Sequence, residues 1–287
     1  MRYGQIEAHR AVYPTRWMCS ALKVSPRGFY SWRHRPESPR RRVDRRLLVE
    51  IRTSYERSHR TYGSPRVLRD LQEAGYRCAR KRIARIMREN SLVAVQRRRW
   101  KATTQSAHTF PVQINLLARD FKASAPNRVW LADITFIATE EGWLYLAALM
   151  DLYSRKIVGW STADRLDRSL TLAALDRALR MRSPRPGLIH HSDQGSQYAS
   201  YDYQRRLEAV KAQSSMSRRG DCYDNAPMES FFSTLKRERV HSRRYWSRDE
   251  ATEDIADYIE GFYNLRRRHS ELGGISPVQL EAGMKLA

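Results

Sequence analysis

Apolar residues recur at helical spacing in the first third of the chain and in near-continuous runs after residue 129, so two textures divide the sequence. Pro14–Leu22 carries Trp17, Met18 and Leu22 on a helical repeat, and Ser25-Pro26 then reads as an N-cap followed by proline at the first helical position. Phe29, Tyr30 and Trp32 follow, so residues 12–32 predict two short helices in a helix-turn-helix-like arrangement. Residues 33–46 are rich in proline and arginine and predict a solvated linker. Leu47, Leu48, Ile51 and Tyr55 form the stripe of the next helix. Ser64-Pro65 caps another, with Val67, Leu68 and Leu71 inward and Gly75 as its stop. A third helix, about Arg80–Asn90, turns Ile83, Ile86 and Met87 inward and carries Arg80, Lys81, Arg82, Arg85 and Arg88 on its other faces.

Past residue 129 the pattern changes. Val129–Ile137, Trp143–Met150 and Lys156–Ser161 predict three strands, the first two joined by a turn at Glu141-Gly142. A helix over Asp167–Met181, a strand at Leu188–His191, a helix near Tyr201–Ala209 and a strand at Lys211–Met216 complete an α/β pattern. Trp130, Trp143 and Trp160 read as core. Ser217–Asn225 is a polar loop, and Asn225–Lys236 opens an amphipathic helix striped by Met228, Phe231, Phe232 and Leu235. Asp249–Tyr263 continues helical with Ile255, Ile259 and Phe262, and the end is polar and turn-rich. The expected division is a helix-turn-helix-like segment at 1–36, a basic helical module at 37–100, a linker at 101–124, an α/β core at 125–245 and a helix with tail at 246–287.

Charge sharpens this division. The net charge is +22, and residues 1–128 hold 30 Lys+Arg against 9 Asp+Glu while the remainder holds 23 against 22. A basic helical front ahead of a nearly neutral core points to a polyanion partner, because each neutralised phosphate releases condensed counterions. No apolar run of membrane-spanning length and no secretory h-region occurs, which leads to an expectation of a cytoplasmic protein without a membrane partner. Cys19, Cys78 and Cys222 are odd in number and far apart, which suggests reduced thiols and no zinc knuckle.

Three carboxylates carry the candidate chemistry. Asp133 interrupts an apolar strand, Asp193 follows the end of another, and Glu229 lies at the edge of the amphipathic stripe with Lys236 nearly above it two turns on. Hard divalent ions such as magnesium take oxygen ligands, and two of them about 3.5–4 Å apart activate a nucleophile and stabilise the leaving oxygen of a phosphodiester. Among 31 acidic residues, spacing alone does not distinguish this trio from ordinary surface carboxylates.

The contexts do. WLADIT around Asp133, HHSDQGSQY around Asp193 and NAPMESFFSTLK around Glu229 resemble the DDE transposases and retroviral-type integrases, specifically the OrfB-type transposases of the insertion sequence 3 family. CSALKVSPRGFYSW, YGSPRVLRDL and YNLRRRHSELGGISP match in the same order, so the resemblance spans nearly the whole chain. It implies a ribonuclease H-like integrase catalytic core preceded by small all-helical helix-turn-helix modules. It also implies that Asp133 bridges two Mg2+ or Mn2+ ions while Asp193 and Glu229 each complete one site. The implied reaction is hydrolysis at an element end followed by direct attack of the freed 3′-hydroxyl on a second phosphodiester. Double-stranded DNA, both element ends and target, a homo-oligomer on that DNA and an OrfA partner or fusion are the implied partners. A catalytically inactive DNA-binding regulator and a purely hydrolytic endonuclease of the same fold are the competing readings.

Further DNA-contact candidates are Gln194, Gln197, Arg218, Arg219 and Lys236, beside the basic residues of the third helix. His190 and His191 read as strand-end packing and hydrogen bonding, with metal ligation the lesser reading. Arg266, Arg267, Arg268 and His269 are left open between DNA and a second protomer.

Overall fold

The computed structural model describes residues 2–94, 111–218 and 222–284. The chain forms two compact units, Met1–Thr53 and Ser54–Ala287.

In the first unit, α1 (Arg2–His9), α2 (Thr15–Ala21) and α3 (Pro26–His34) enclose a small core of Ile6, Cys19 and Phe29. The Ser25 side chain accepts the Gly28 N–H at 3.3 Å, so the expected cap forms. Two expectations are corrected. Trp17 is exposed, and Cys19 takes the inward position instead. The presumed linker at 33–46 is helical from Pro39, because α4 spans Pro39–Arg57. Ser38 accepts the Arg41 N–H, giving this helix the same Ser-Pro start as α3, and arginine is a good helix former. α1 was missing from the hydrophobic pattern because it buries one side chain, Ile6.

The second unit holds α5 (Ser64–Glu73), α6 (Arg80–Glu89) and the α/β core. α5 buries Val67 and Leu71 and ends where Gly75 adopts φ +84°. Its N-cap is Gly63 rather than Ser64, whose hydroxyl makes no capping bond. β1 (Val129–Thr139), β2 (Gly142–Asp151) and β3 (Ile157–Ala163) pair antiparallel in sequence. After α7 (Arg168–Arg182), β4 (Ile189–Ser192) pairs parallel with β1, and β5 (Gln213–Met216) pairs parallel with β4. The sheet order β3-β2-β1-β4-β5 is that of a ribonuclease H-like core. α8 (Ser196–Ala199) and α9 (Tyr201–Ala209) join α7 against one face, with Trp130, Ala132, Ala147, Leu149, Leu175 and Tyr203 in the cluster between. Gly159 allows α7 to approach β3, since a Cβ there would stand 2.3 Å from the Ala174 carbonyl. Trp130 and Trp160 are buried as expected, but Trp143 is exposed.

α10 (Ala226–Glu238) buries Met228, Phe231, Phe232 and Leu235, the stripe read from the sequence. α11 (Arg248–Ala256) continues into a π-helical turn, Asp257–Tyr263, and Phe231 meets Tyr263 edge-on at 4.8 Å. α12 (Pro277–Met284) closes the core through Glu281, whose carboxylate accepts both terminal nitrogens of Arg182 at 2.8 Å. The arginine-rich tail does not project. Arg267, Arg268 and His269 are buried, and only Arg266 of that run is exposed. Arg268 donates to Asp70 (2.6 Å) and Glu73 (2.6 Å) of α5, and its N–H donates to the Tyr62 hydroxyl. The open choice between DNA and a second protomer is therefore settled for these three residues by intramolecular packing.

Two buried histidines give the fold an acid-sensitive stability. His190 bonds the Tyr203 hydroxyl at 2.9 Å, and burial pushes its imidazole down to about 3. Burial and the nearby Arg267 push His269 down to about 2. A histidine depressed in the folded state contributes fully above its unfolded value of about 6.5 and loses that contribution as pH falls toward the folded value. Each loses about 1.4 kcal/mol per pH unit in that window, or about 2 kcal/mol at pH 5. Asp133 and Asp151, whose carboxyls burial raises, oppose the trend. Urea unfolding of the wild type and His190→Asn at pH 7 and pH 5 isolates the effect: the wild-type advantage should shrink by about 2 kcal/mol. A pH-independent difference would show that His190 is not held neutral.

Candidate active site

Asp133 and Asp193 are brought together by strand register. β1 and β4 run parallel with Val129 opposite Ile189, Trp130 opposite His190 and Leu131 opposite His191. Asp133 and Asp193 each lie two residues beyond the last paired positions of the two strands, and the Asp193 charge acts on the Asp133 carboxyl, so both acids emerge at the same end of the paired strands. Pairing stops at Leu131, so the backbone beyond it is free for other partners. Asn225 takes one of them: its Nδ2 donates to the Ala132 carbonyl at 3.1 Å. The residue before α10 is thereby tied beside Asp133, and Glu229 follows in the first turn of that helix.

The electrostatics agree with this placement. Burial raises the Asp133 carboxyl well above the usual range; the Asp193 charge raises it further and Glu229 adds a smaller push. The Ile134 N–H, donating at 2.7 Å, and the Lys236 ammonium work the other way. Burial also raises Glu229 and lowers Lys236, whose ammonium Asp133 favours. Asp193 is oriented by the Gly195 N–H at 3.0 Å. A Cβ on Gly195 would stand 2.9 Å from that carboxylate oxygen, so glycine keeps the turn open. Among the described residues, no three His, Cys, Asp or Glu side chains stand close enough to form a ready-made cation site. Asp133 and Asp193 are thus set by the sheet, while Glu229 depends on how α10 docks.

The loop before α10 is organised by an acid that the sequence pattern did not single out. Asp224 is buried and accepts from Asn115 Nδ2 (2.9 Å), Arg119 Nε (3.0 Å), Arg218 Nε (3.0 Å) and Arg218 Nη2 (2.9 Å). These donors, Arg218 first, hold its carboxyl far below the usual range. His191 completes the support. Its Nε2 faces the Asp224 carbonyl at 3.1 Å and so carries the proton, leaving Nδ1 to accept from Ser215 Oγ at 2.8 Å. The available signal was an Asp-Asn pair just before an Ala-Pro helix start; its partners Asn115 and Arg119 lay in a segment that read as linker.

The other contact candidates fall in different settings. Arg218 serves Asp224, and Arg219 lies outside the described residues. Gln194 Nε2 donates to the Ser217 carbonyl at 2.9 Å, and Gln197 reaches the Leu166 carbonyl at 3.5 Å. On α6, Arg80, Lys81 and Arg88 are exposed, Arg82 is half-buried, and Arg85 pairs with Glu89 at 2.9 Å. Lys236 Nζ lies 4.7 Å from the centre of the Phe136 ring.

Comparison with known proteins gives the arrangement its family. Residues 123–222 and 210–277 match models of an integrase core domain, and residues 42–100 match an HTH-like domain. The chain is 48% identical over 260 residues to the insertion element IS600 uncharacterized 31 kDa protein of Shigella sonnei, covering 91% of this chain and 96% of that one. It is 41% identical over 283 residues to transposase InsF for insertion sequence IS3A of Escherichia coli strain K12, covering 98% of both chains. A chain of the simian T-cell lymphotropic virus intasome, solved with PP2A regulatory subunit B56 gamma, is similar at 13% identity and a TM-score of 0.48, over 71% of this chain and 67% of that one. With an integrase core behind an HTH-like domain and near full-length identity to named transposases, the chain belongs to the insertion sequence 3 family of transposases.

Proposed function

We propose that Asp133, Asp193 and Glu229 form the catalytic carboxylate set of this transposase and that it cuts and rejoins DNA at element ends. The observation that supports the reading is that Asp133 and Asp193 follow the paired ends of two adjacent parallel strands and that Asp193 and Glu229 both act on the Asp133 carboxyl. An aspartate in an apolar strand, its carboxyl raised by burial and by two further acids, is costly to the fold and serves no packing role.

The donor set fits divalent metal. All three side chains offer carboxylate oxygens, the ligands magnesium and manganese prefer, and their mutual repulsion is what a cation relieves. Asp133, Asp193 and Glu229 would together hold the divalent ions. When bound, such ions activate the attacking oxygen and stabilise the leaving one. The chain's own residues supply the rest. The Gly195 N–H fixes the direction of Asp193, Asn225 holds the start of α10 to β1, and Lys236 sets a cation beside the acids where a DNA phosphate can meet it. The first attack is by water and frees a 3′-hydroxyl; the second is by that hydroxyl on another phosphodiester. DNA with one end labelled at its 3′-hydroxyl tests this directly: joined products should form only with Mg2+ or Mn2+. Cleavage without joining would make the protein a hydrolytic nuclease, and binding without either would make it a regulator.

The basic front, with Arg80, Lys81 and Arg88 exposed on α6, carries the DNA-binding part of the reading. Binding measured between 50 and 200 mM salt should fall steeply on a log–log plot, with a slope of about −0.9 per phosphate contacted. Arg80→Ala, Lys81→Ala and Arg88→Ala together should flatten that slope by about 3. A slope near zero in the wild type would remove the polyanion argument. Joining two ends supports assembly as a homo-oligomer on DNA, and the family resemblance supports an OrfA partner or fusion as part of the same proposal.

A further inference from the structure

Two large aromatic side chains of the sheet, near the acids in sequence, are about half exposed among the described residues. Phe136, three residues beyond Asp133 on β1, is 54% exposed, and Trp143 on β2 is 51% exposed. Their rings meet edge to face, with centroids 5.0 Å apart and planes at 81°, an arrangement in which each ring holds the other's rotamer. Lys236 Nζ lies 4.7 Å from the Phe136 ring centre, so the ammonium that interacts with Asp133 also borders the aromatic pair. At about 3.3 Å per residue, Phe136 lies about 10 Å along the strand from Asp133, and alternation sets the two side chains on opposite faces of β1, with Lys236 bordering the ring and acting on the acid.

The hairpin that carries these rings is held firmly. Arg248 Nε donates to the Trp143 carbonyl at 3.1 Å, and Nη2 donates to the Glu141 carbonyl at 2.7 Å. The Glu140 N–H donates to the Tyr245 carbonyl at 3.0 Å, which lays the segment before α11 along the hairpin tip. The next residue, Trp246, is 66% exposed, and the Arg244 guanidinium stands 4.9 Å from its ring centre. The two acids at the tip are engaged: Glu140 accepts Arg244 Nε at 2.7 Å, and Glu141 accepts the Arg248 N–H at 2.8 Å. Lys236 stands over the Phe136 ring and Arg244 over the Trp246 ring, so two of the three exposed rings border a cation. A face that bound an apolar protein surface would need no such cations. Exposed rings bordered by cations suit a strand whose bases stack and whose phosphates are negative.

We propose that Phe136 and Trp143, flanked by Lys236 and continued by Arg244 and Trp246, form a stacking track for unpaired nucleotides of the DNA strand next to the cleaved bond. The inference rests on the reading of Asp133, Asp193 and Glu229 as the cutting site. A base on an aromatic ring is sequence-tolerant, because every base offers a π face. The track would keep a frayed strand from re-pairing while its neighbouring phosphodiester sits at the acids.

The full-length protein tests this with two probes, a short single-stranded oligonucleotide carrying one 2-aminopurine and its blunt duplex. Stacking should quench the 2-aminopurine on single-strand binding. Phe136→Ala with Trp143→Ala should weaken single-strand binding about 5- to 150-fold per ring, with the quench lost. Duplex binding should change by less than about twofold, because the basic front supplies it. Phe136→Tyr with Trp143→Phe keeps both rings and should retain binding and quench, which separates stacking from a folding defect. Unchanged single-strand affinity and quench in the alanine pair would overturn the proposal. So would a change confined to the oligomeric state on size exclusion, which would assign the patch to a second copy. Divalent-dependent joining is scored separately: its absence with ring-dependent binding intact would remove the cutting-site reading, and its presence without ring dependence would remove the track.

Discussion

Asp133→Asn should leave a folded, DNA-binding protein whose cleavage and joining fall by about 10³-fold or more, and whose stability rises. The activity loss follows from the proposed role of Asp133 as a metal ligand, worth several kcal/mol of transition-state stabilisation at about 1.36 kcal/mol per factor of ten. The stability gain follows from the same side chain. Burial, Asp193 and Glu229 all oppose its charge, and a neutral isostere removes that cost. Asp193→Asn and Glu229→Gln should match the activity loss. Asp224→Asn makes the contrast, because Arg218, Asn115 and Arg119 all favour the charged form of this acid. It should destabilise the protein, and because it holds the loop before α10 its effect on activity is indirect. Thermal unfolding and a strand-joining assay on the four variants test the distinction. An Asp133→Asn protein that still joins DNA, or that unfolds at a lower temperature than the wild type, would reassign Asp133 to structure.

Glu238→Ala should cost about 3–5 kcal/mol, the penalty for stranding one partner of a buried ion pair. Glu238 closes the helix that opens with Glu229, and its side chain is 3% exposed. Its carboxylate accepts Arg267 Nε and Nη2, each at 2.8 Å, and the Tyr258 hydroxyl at 2.8 Å. Arg66 of α5 stands 3.7 Å away. These cations hold the carboxyl below its usual range despite burial. Arg267→Ala strands the other partner and should cost a similar amount, while the double variant should cost less than the sum of the two. Urea unfolding of the three proteins reads this. Additive losses, or a Glu238→Ala cost below about 1 kcal/mol, would show that the pair does not hold the helix.

Much of this architecture was legible in the chain because it rests on short-range rules. Met228, Phe231, Phe232 and Leu235 fall on one helical face wherever the helix lands, and all four are buried. The strands of the sheet announced themselves by apolar runs, since both faces of the central ones are covered. Failures came where local composition and tertiary setting diverge. The arginine-rich stretch 39–46 carries Val43 as its one large apolar side chain and is still helical, since Ser38 starts it and arginine tolerates a helix. Arg267 and Arg268, open between DNA and a second protomer in the sequence, are buried, and their partners Glu238, Asp70 and Glu73 lie far off along the chain. Trp143 reads as core and is exposed, since alternation along a strand does not tell where the covering helix stops.

By itself the sequence determined the secondary structure of the core, the identity of three acids in their contexts, and a basic front ahead of a neutral back. All of these depend on residues within a few positions of one another. Tertiary structure alone decided which acids meet. Asp133 and Asp193 come to the same end of the sheet because β4 pairs parallel with β1 in one register, and a slip of one residue would turn every side chain of β4 to the other face. Tertiary structure also sorted the cations and acids by role. Arg218 and Arg267 neutralise buried carboxylates, Arg268 is itself buried against Asp70 and Glu73, and Asp224 braces a loop while burial and two further acids oppose the charge of Asp133. Local sequence cannot carry that sorting, because a charge takes its energy from neighbours that only the folded chain brings within reach.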